Sequence, residues 1–307
     1  MAGRRGISTV VASVAAALLC LVPASAGAAT VVNGDFEQGS LNGWTTDTTG
    51  APAMNNWFAY TGASSPITGT PITAPPQGSF AAVTEQSGPG RQTMYQDVAL
   101  EAESRHTLSL FVYYQTVAAI ASPESLDPTN PPPNQQYRID VVRPEASLTS
   151  LSPDDILLTV FRTVTGDPST LAPTEITANL TPFAGRTVRL RFTEVDNQAP
   201  FYASTDAVAI ESVDATIPET TITKRPKDKV KTKRKRAKAT FEFTSNEPGT
   251  SFECSVDNQP FAACASPFTT KVTKGRHNFA VRAKDAAGNV DGSSATDDWK
   301  VKRKKKK

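Results

Sequence analysis

The sequence predicts an all-β chain of two domains, and three observations lead there. Outside the N-terminus almost no segment repeats its apolar residues with a 3.6-residue period; β-branched and aromatic runs alternate instead with clusters of Gly, Pro, Asn and Ser. Charge changes sign along the chain: residues 30–215 hold 8 Arg, no Lys and 20 acidic residues, a net of −12, while residues 216–307 hold 22 basic against 10 acidic, a net of +12. Beyond Ala29 the only cysteines are Cys254 and Cys264, an even pair that reads as one disulfide in an exported chain.

Export is read from the first residues. Arg4 and Arg5, the apolar stretch from Ile7 to Val22 and the small-residue run from Pro23 to Ala29 follow the order charge, hydrophobic core, cleavage region, so 1–29 is expected to be a signal peptide. The stretch is broken by Ser8, Thr9 and Ser13 and is shorter than the roughly 20 residues of a membrane-spanning helix. No second run of that length follows, and no transmembrane segment is expected in the mature chain. Cys20 follows Leu18 and Leu19 where a lipid-attachment signal carries small residues, so no lipid anchor is expected.

In residues 30–215, strands are expected around Phe80–Val83, Thr93–Val98, His106–Tyr114, Tyr137–Val142, Asp155–Val164, Arg186–Glu194 and Ala207–Ile210. Leu108, Leu110 and Val112 point one way and Thr107, Ser109 and Phe111 the other, so one face of that strand is buried. Seven such strands suit a two-sheet sandwich. Residues 122–134 carry five prolines and read as an exposed loop of polyproline character, because Pro131, Pro132 and Pro133 cannot join a ladder.

A sugar ring offers C–H patches edged with hydroxyls, and flat aromatic faces beside amides and carboxylates bind it. Trp57, Phe58 and Tyr60, and then Phe201 and Tyr202 after the polar run Glu194–Gln198, supply such faces at what read as loops or strand ends. Their alternative reading is core, as for Phe36 and Trp44. For catalysis the residues offer little. His106 and His277 fall in different domains without a Ser or Cys motif nearby, and no glycine-rich phosphate loop appears. A carboxylate pair for glycoside hydrolysis stays open, yet the expectation is a protein that is not an enzyme.

The run Val31-Val32-Asn33-Gly34-Asp35-Phe36-Glu37, continued to Gly43-Trp44, is the most specific motif of the chain. With Tyr95-Gln96-Asp97-Val98, with Arg105 to Leu110 and with Ser204-Thr205-Asp206-Ala207-Val208-Ala209-Ile210, it resembles the galactose-binding-like jelly-roll family, which includes many carbohydrate-binding modules. His106 stands where that family often has Tyr, and the Pro-rich insertion departs from it. The resemblance implies a jelly-roll sandwich over 30–215 and a structural Ca2+ between first and last strands, on the matching positions Asp35, Glu37 and Asp206.

Residues 216–238 read as a basic linker and first strand, 239–301 as a second sandwich and 302–307 as a basic tail. Pro218 to Thr223, Ala239 to Gly249, Phe252 to Cys264 and Gly275 to Asp291, closed by Trp299-Lys300-Val301, resemble an immunoglobulin-like repeat of exported actinobacterial proteins. The resemblance implies that Phe279 and Val281 face the core and that Asp285 to Asn289 form a turn. Turn formers between Cys254 and Cys264 place the two across a hairpin. Lys or Arg occupies ten of the fifteen positions 224–238, which points to anionic envelope polymers as partners or to a solvated linker. Sequence-specific nucleic-acid binding is not expected, since no aromatic residues interleave with the lysines.

Together these readings predict an extracellular, secreted or cell-wall-associated protein without catalysis that binds a polysaccharide or cell-wall glycan through its first domain. The alternative is a structural envelope protein held by electrostatic contacts of its basic domain, with no glycan ligand.

Overall fold

The structure is a computed structural model that describes residues 29–50, 56–85, 88–129 and 132–304. The expected signal peptide, apart from Ala29, and the last three residues of the basic tail lie outside the described residues. As the sequence predicts, the described residues are nearly all β, with a single 3-10 turn at Thr181–Phe183. The first domain contributes ten strands: β1 (Thr45–Gly50), β2 (Trp57–Thr61), β3 (Phe80–Thr84), β4 (Gly90–Ala99), β5 (Ser104–Thr116), β6 (Gln135–Val142), β7 (Ile156–Arg162), β8 (Thr170–Asn179), β9 (Thr187–Asp196) and β10 (Phe201–Asp214). They form two five-stranded sheets, β1-β4-β9-β6-β7 (sheet I) and β2-β3-β10-β5-β8 (sheet II), with every paired strand antiparallel.

Alternation along the strands builds the core between the sheets. Sheet I sends in Met94, Val98, Tyr137, Ile139, Leu190 and Phe192, and sheet II sends in Ala82, Leu108, Leu110, Val112 and Phe201. The opening motif closes one end. Phe36 stacks on Trp44, Trp44 meets Phe192 edge-on, and the Trp44 Nε1 donates to Asn33 O. Gly34 lies so close to β10 that an added Cβ would fall 1.9 Å from Val208 O, which explains the glycine.

Strand β8 was not expected from the sequence. It is an edge strand, and its Pro173 falls where the register with β5 slips between Val112 and Tyr114. The Pro-rich segment is a loop, as expected, with Glu124, Asp127, Thr129, Pro132 and Pro133 exposed. It lies over the outer face of sheet I with Leu126 and Pro128 buried, because Asn134 and Gln136 donate side-chain amides to Ser125 O and Asn197 donates to Pro128 O.

The second domain adds β11 (Thr220–Lys224), β12 (Lys229–Thr232), β13 (Ala237–Ser245), β14 (Ser251–Val256), β15 (Ala262–Cys264), β16 (Phe268–Val272), β17 (Gly275–Lys284) and β18 (Ala295–Arg303). Sheets β11-β13-β16 and β12-β18-β17-β14-β15 enclose Phe241, Phe243, Phe279, Val281 and Trp299, and Phe241 stacks on Phe279 at 3.9 Å. The disulfide Cys254–Cys264 joins the paired strands β14 and β15. Strand β12, drawn from the basic segment, pairs parallel to β18 at the sheet edge.

Candidate functional site

The aromatic residues that the sequence marks for ligand stacking are divided between two faces of sheet II; Trp57, Tyr60, Phe201 and Tyr202 are buried and Phe58 is half-buried. Trp57 (3% exposed) and Phe201 (0%) point into the core, where Trp57 packs on Tyr137 and Phe192 and donates Nε1 to Gln92 O. Tyr60 (2%) and Tyr202 (7%) point to the opposite face, under the loop that holds Ile72. Their hydroxyls are engaged there: Tyr60 with Thr73 O and Tyr113, Tyr202 with Glu85. Burial pushes the Tyr60 phenol up to about 12. Adjacent residues of a strand face opposite ways, so Phe201 and Tyr202 cannot share one platform. Of the marked rings only Phe58 keeps partial exposure, and the other four are covered.

Asp35, Glu37 and Asp206 are brought toward one another at one end of the sandwich. Asp206 is buried and accepts from Ala207 N and Gln77 N, while Glu37 Oε1 accepts from Ser79 N and Phe80 N, so both carboxylates hold the turn that leads into β3. Burial, together with the charges of Glu37 and Asp35, pushes the Asp206 carboxyl up to about 6. Among the described residues the trio whose carboxylate oxygens come within 4.8 Å of one another is a different one: Asp214, Glu247 and Asp285. It lies where β10 runs on toward the second sandwich and Asn289 Nδ2 donates to Asp214 O. Burial first, and then Asp214, Asp285 and Glu103, push the Glu247 carboxyl up.

The outer face of sheet I carries a polar groove and, beside it, a buried charge network. Arg191, with no exposure, donates Nη2 to Asp140 (2.8 Å) and Nη1 to Leu148 O and Ser150 O (3.1 and 2.9 Å), and Arg138 grips both oxygens of Asp140 (2.7 and 2.9 Å). Those bonds pin residues 147–150 on one side, and the Asn134 and Gln136 amides pin the Pro-rich segment on the other. Between the two runs a cleft of about 490 Å³ lined by Thr49, Arg91, Glu124, Ser125, Asp127 and Thr149. Arg91 donates Nη2 to Asp47 and Thr49, but its buried Nε has no acceptor. Hydrogen bonds from Thr129, and then the charge of Arg91, hold the Asp127 carboxyl below the usual range, so it stays an acceptor. The sequence reading missed these residues because they come from β4, the Pro-rich segment and the β6–β7 connection, which only the β4-β9-β6 pairing brings together.

Both histidines are structural. His106 Nε2 donates to Glu101 O and its Nδ1 meets Ser212 Oγ, while His277 lies between Asp257 and Thr273 O. In the second domain Arg234, Lys235, Lys274 and Arg303 line a basic cleft of about 300 Å³ beside β12. No described helix is long and apolar enough to cross a membrane.

No protein-family model matches the chain, and no curated protein matches it in sequence. Among solved structures the chain is similar to the K3 cleaved adhesin domain of Lys-gingipain from Porphyromonas gingivalis, at 17% identity over 60% of this chain and 98% of that one, with a TM-score of 0.38. It is also similar to a family 16 carbohydrate-binding module, at 13% identity over 59% of this chain and 98% of that one, TM-score 0.34. A third similarity is to the glycoside hydrolase domain Endo-D of Streptococcus pneumoniae, at 14% identity over 84% of this chain and 37% of that one, TM-score 0.27. Likeness this distant assigns neither ligand nor activity.

Proposed function

We infer that this is an extracellular binding protein without catalysis, whose first sandwich takes a hydroxyl-rich ligand, an oligosaccharide of a polysaccharide or cell wall, in the groove over sheet I. The observation that carries this reading is the groove itself, which sets Arg91 beside Asp127, Glu124, Ser125 and Thr149. A guanidinium, carboxylates and hydroxyls on the walls of one cleft match the donors and acceptors of a hydroxyl-rich ligand. Recognition then rests on hydrogen bonds, since the aromatic rings are used in packing. A Ca2+ ion on Asp35, Glu37 and Asp206 would brace the turn into β3 without touching the ligand. The basic edge at β12, with Arg234, Lys235 and Lys274 beside it, supports a second and weaker contact to anionic envelope polymers.

The test is a glycan array with the full chain, followed by calorimetry on each hit with the double variant Glu124→Ala/Asp127→Ala. Both side chains are exposed, so the fold should not change. At least a tenfold loss of affinity is expected, as for one or two charged hydrogen bonds at about 1.5–3 kcal/mol each. Absence of any glycan hit, or unchanged affinity in the variant, would overturn the reading.

A further inference from the structure

At one end of the first sandwich the inner face of sheet I changes from apolar to polar. Leu190 and Phe192 of β9 point into the core, and the alternation carries Glu194 and Asp196 inward after them. Both are fully buried. Neither oxygen of Glu194 accepts a hydrogen bond. Asp196 Oδ1 accepts from Gln198 N and Ala199 N at 2.6 and 3.1 Å, while its Oδ2 accepts none.

An uncharged residue on the neighbouring strand shows the same deficit. Gln135 stands opposite Asp196 in the β6–β9 ladder, on the face that Tyr137 and Ile139 share. It is fully buried, and its amide nitrogen donates to Thr116 Oγ1 at 2.6 Å and to Ala199 O at 3.0 Å. Its Oε1 is buried without a donor. Four acceptor oxygens on three neighbouring residues of one inner face therefore lack a donor, although the Gly88 N–H joins Gln198 and Ala199 in bonding the Asp196 carboxylate. The arginines of these strands, Arg91, Arg138, Arg189 and Arg191, alternate onto the outer face, where carboxylates engage them. Two carboxylates lie buried side by side without a counter-charge, and Glu194 has no donor either; one proton could serve a single acceptor, whereas a cation would take all of the unpaired oxygens.

We propose that Glu194, Asp196 and Gln135 form a buried metal site, and that its ion is calcium. The donors are all oxygen, which suits a hard cation, and no His or Cys joins them. A glutamate with both oxygens available can bind bidentate, a carboxylate and an amide carbonyl add one oxygen each, and calcium tolerates such an irregular set where magnesium demands a near-ideal octahedron. The ion would tie β9 to β6 beside the turn that Asp196 caps. The site is separate from Asp35, Glu37 and Asp206 and does not depend on what the groove binds.

The experiment uses the full chain, stripped with chelator and titrated with terbium as a calcium analogue. Trp57 packs on Tyr137 at 6.0 Å, and Tyr137 stands opposite Glu194, so an ion there lies within energy-transfer range of a tryptophan. Tryptophan-sensitised terbium emission that calcium competes away is expected in the wild-type chain and in Glu37→Gln. Emission, and one equivalent of calcium in equilibrium dialysis, should be lost when Glu194→Gln or Asp196→Asn is added to Glu37→Gln. If a double variant does not fold, the Glu37→Gln chain decides alone. Absence of emission and of bound calcium in that chain at about 10 mM calcium, above the range for weak extracellular modules, overturns the proposal. So does retention of both in a folded Glu37→Gln/Glu194→Gln.

Discussion

Replacing Asp140 by Ala leaves two guanidinium groups against the outer face of sheet I with no counter-charge. Their side chains are 6% exposed for Arg138 and 0% for Arg191, so water cannot take the place of the carboxylate. Removing one member of a buried ion pair costs about 3–5 kcal/mol, mostly through the charge left behind. Arg191 keeps Leu148 O and Ser150 O as acceptors, whereas Arg138 loses both of its bonds to Asp140, so the lower half of that range applies. For a domain of this size each kcal/mol lowers Tm by about 2–4 °C, which puts the expected fall at roughly 6–16 °C. Scanning calorimetry of the full chain should show it in the transition that Trp44 and Trp57 report, with the second domain unmoved. A fall of less than about 3 °C would show that the network does not hold the groove wall.

Gly34→Ala should destabilise the first domain by about 1–3 kcal/mol in urea unfolding, since its Cβ would meet the backbone oxygen of Val208 and neither chain can give way. Removing the disulfide as Cys254→Ser/Cys264→Ser should cost the second domain about 2.5–3 kcal/mol, from the loop entropy of a separation of 10 residues, and leave the first domain unchanged. Tyr60 and Tyr114 are each pushed up to about 12 by burial, with Tyr113 and Tyr137 pushed higher still. The folded chain therefore holds these protons more tightly than the unfolded one, and first-domain stability is present below about pH 10 and lost as pH rises toward 12. Ultraviolet titration of phenolate should show these four ionising late and together with unfolding; early, reversible ionisation of all tyrosines would refute the packing.

What could be read in advance followed from local alternation. Strand β5 announces itself because Leu108, Leu110 and Val112 line one face, and the cysteine spacing pointed to the β14–β15 hairpin. Strand β8 did not, since an edge strand with Pro173 and Glu175 needs only a weak apolar stripe and can carry a break in its ladder. Trp57 and Tyr202 looked like ligand contacts because aromatic residues beside glycine and proline read as loop tips, and only the sheet order shows them covered. Glu194 and Asp196 were read as a polar run leaving a strand; they are instead its buried end. The groove has no local signature, because its walls depend on Arg191 reaching carbonyls more than forty positions away.

The parallel pairing of β12 with β18 sets Lys229 opposite Lys300 and Lys231 opposite Lys302. Strands lie about 4.8 Å apart, so two of the four residue pairs set like charges against one another, and the edge is held shut against that repulsion. Added salt screens that repulsion and tightens the seam, the reverse of what it does to an ion-paired edge.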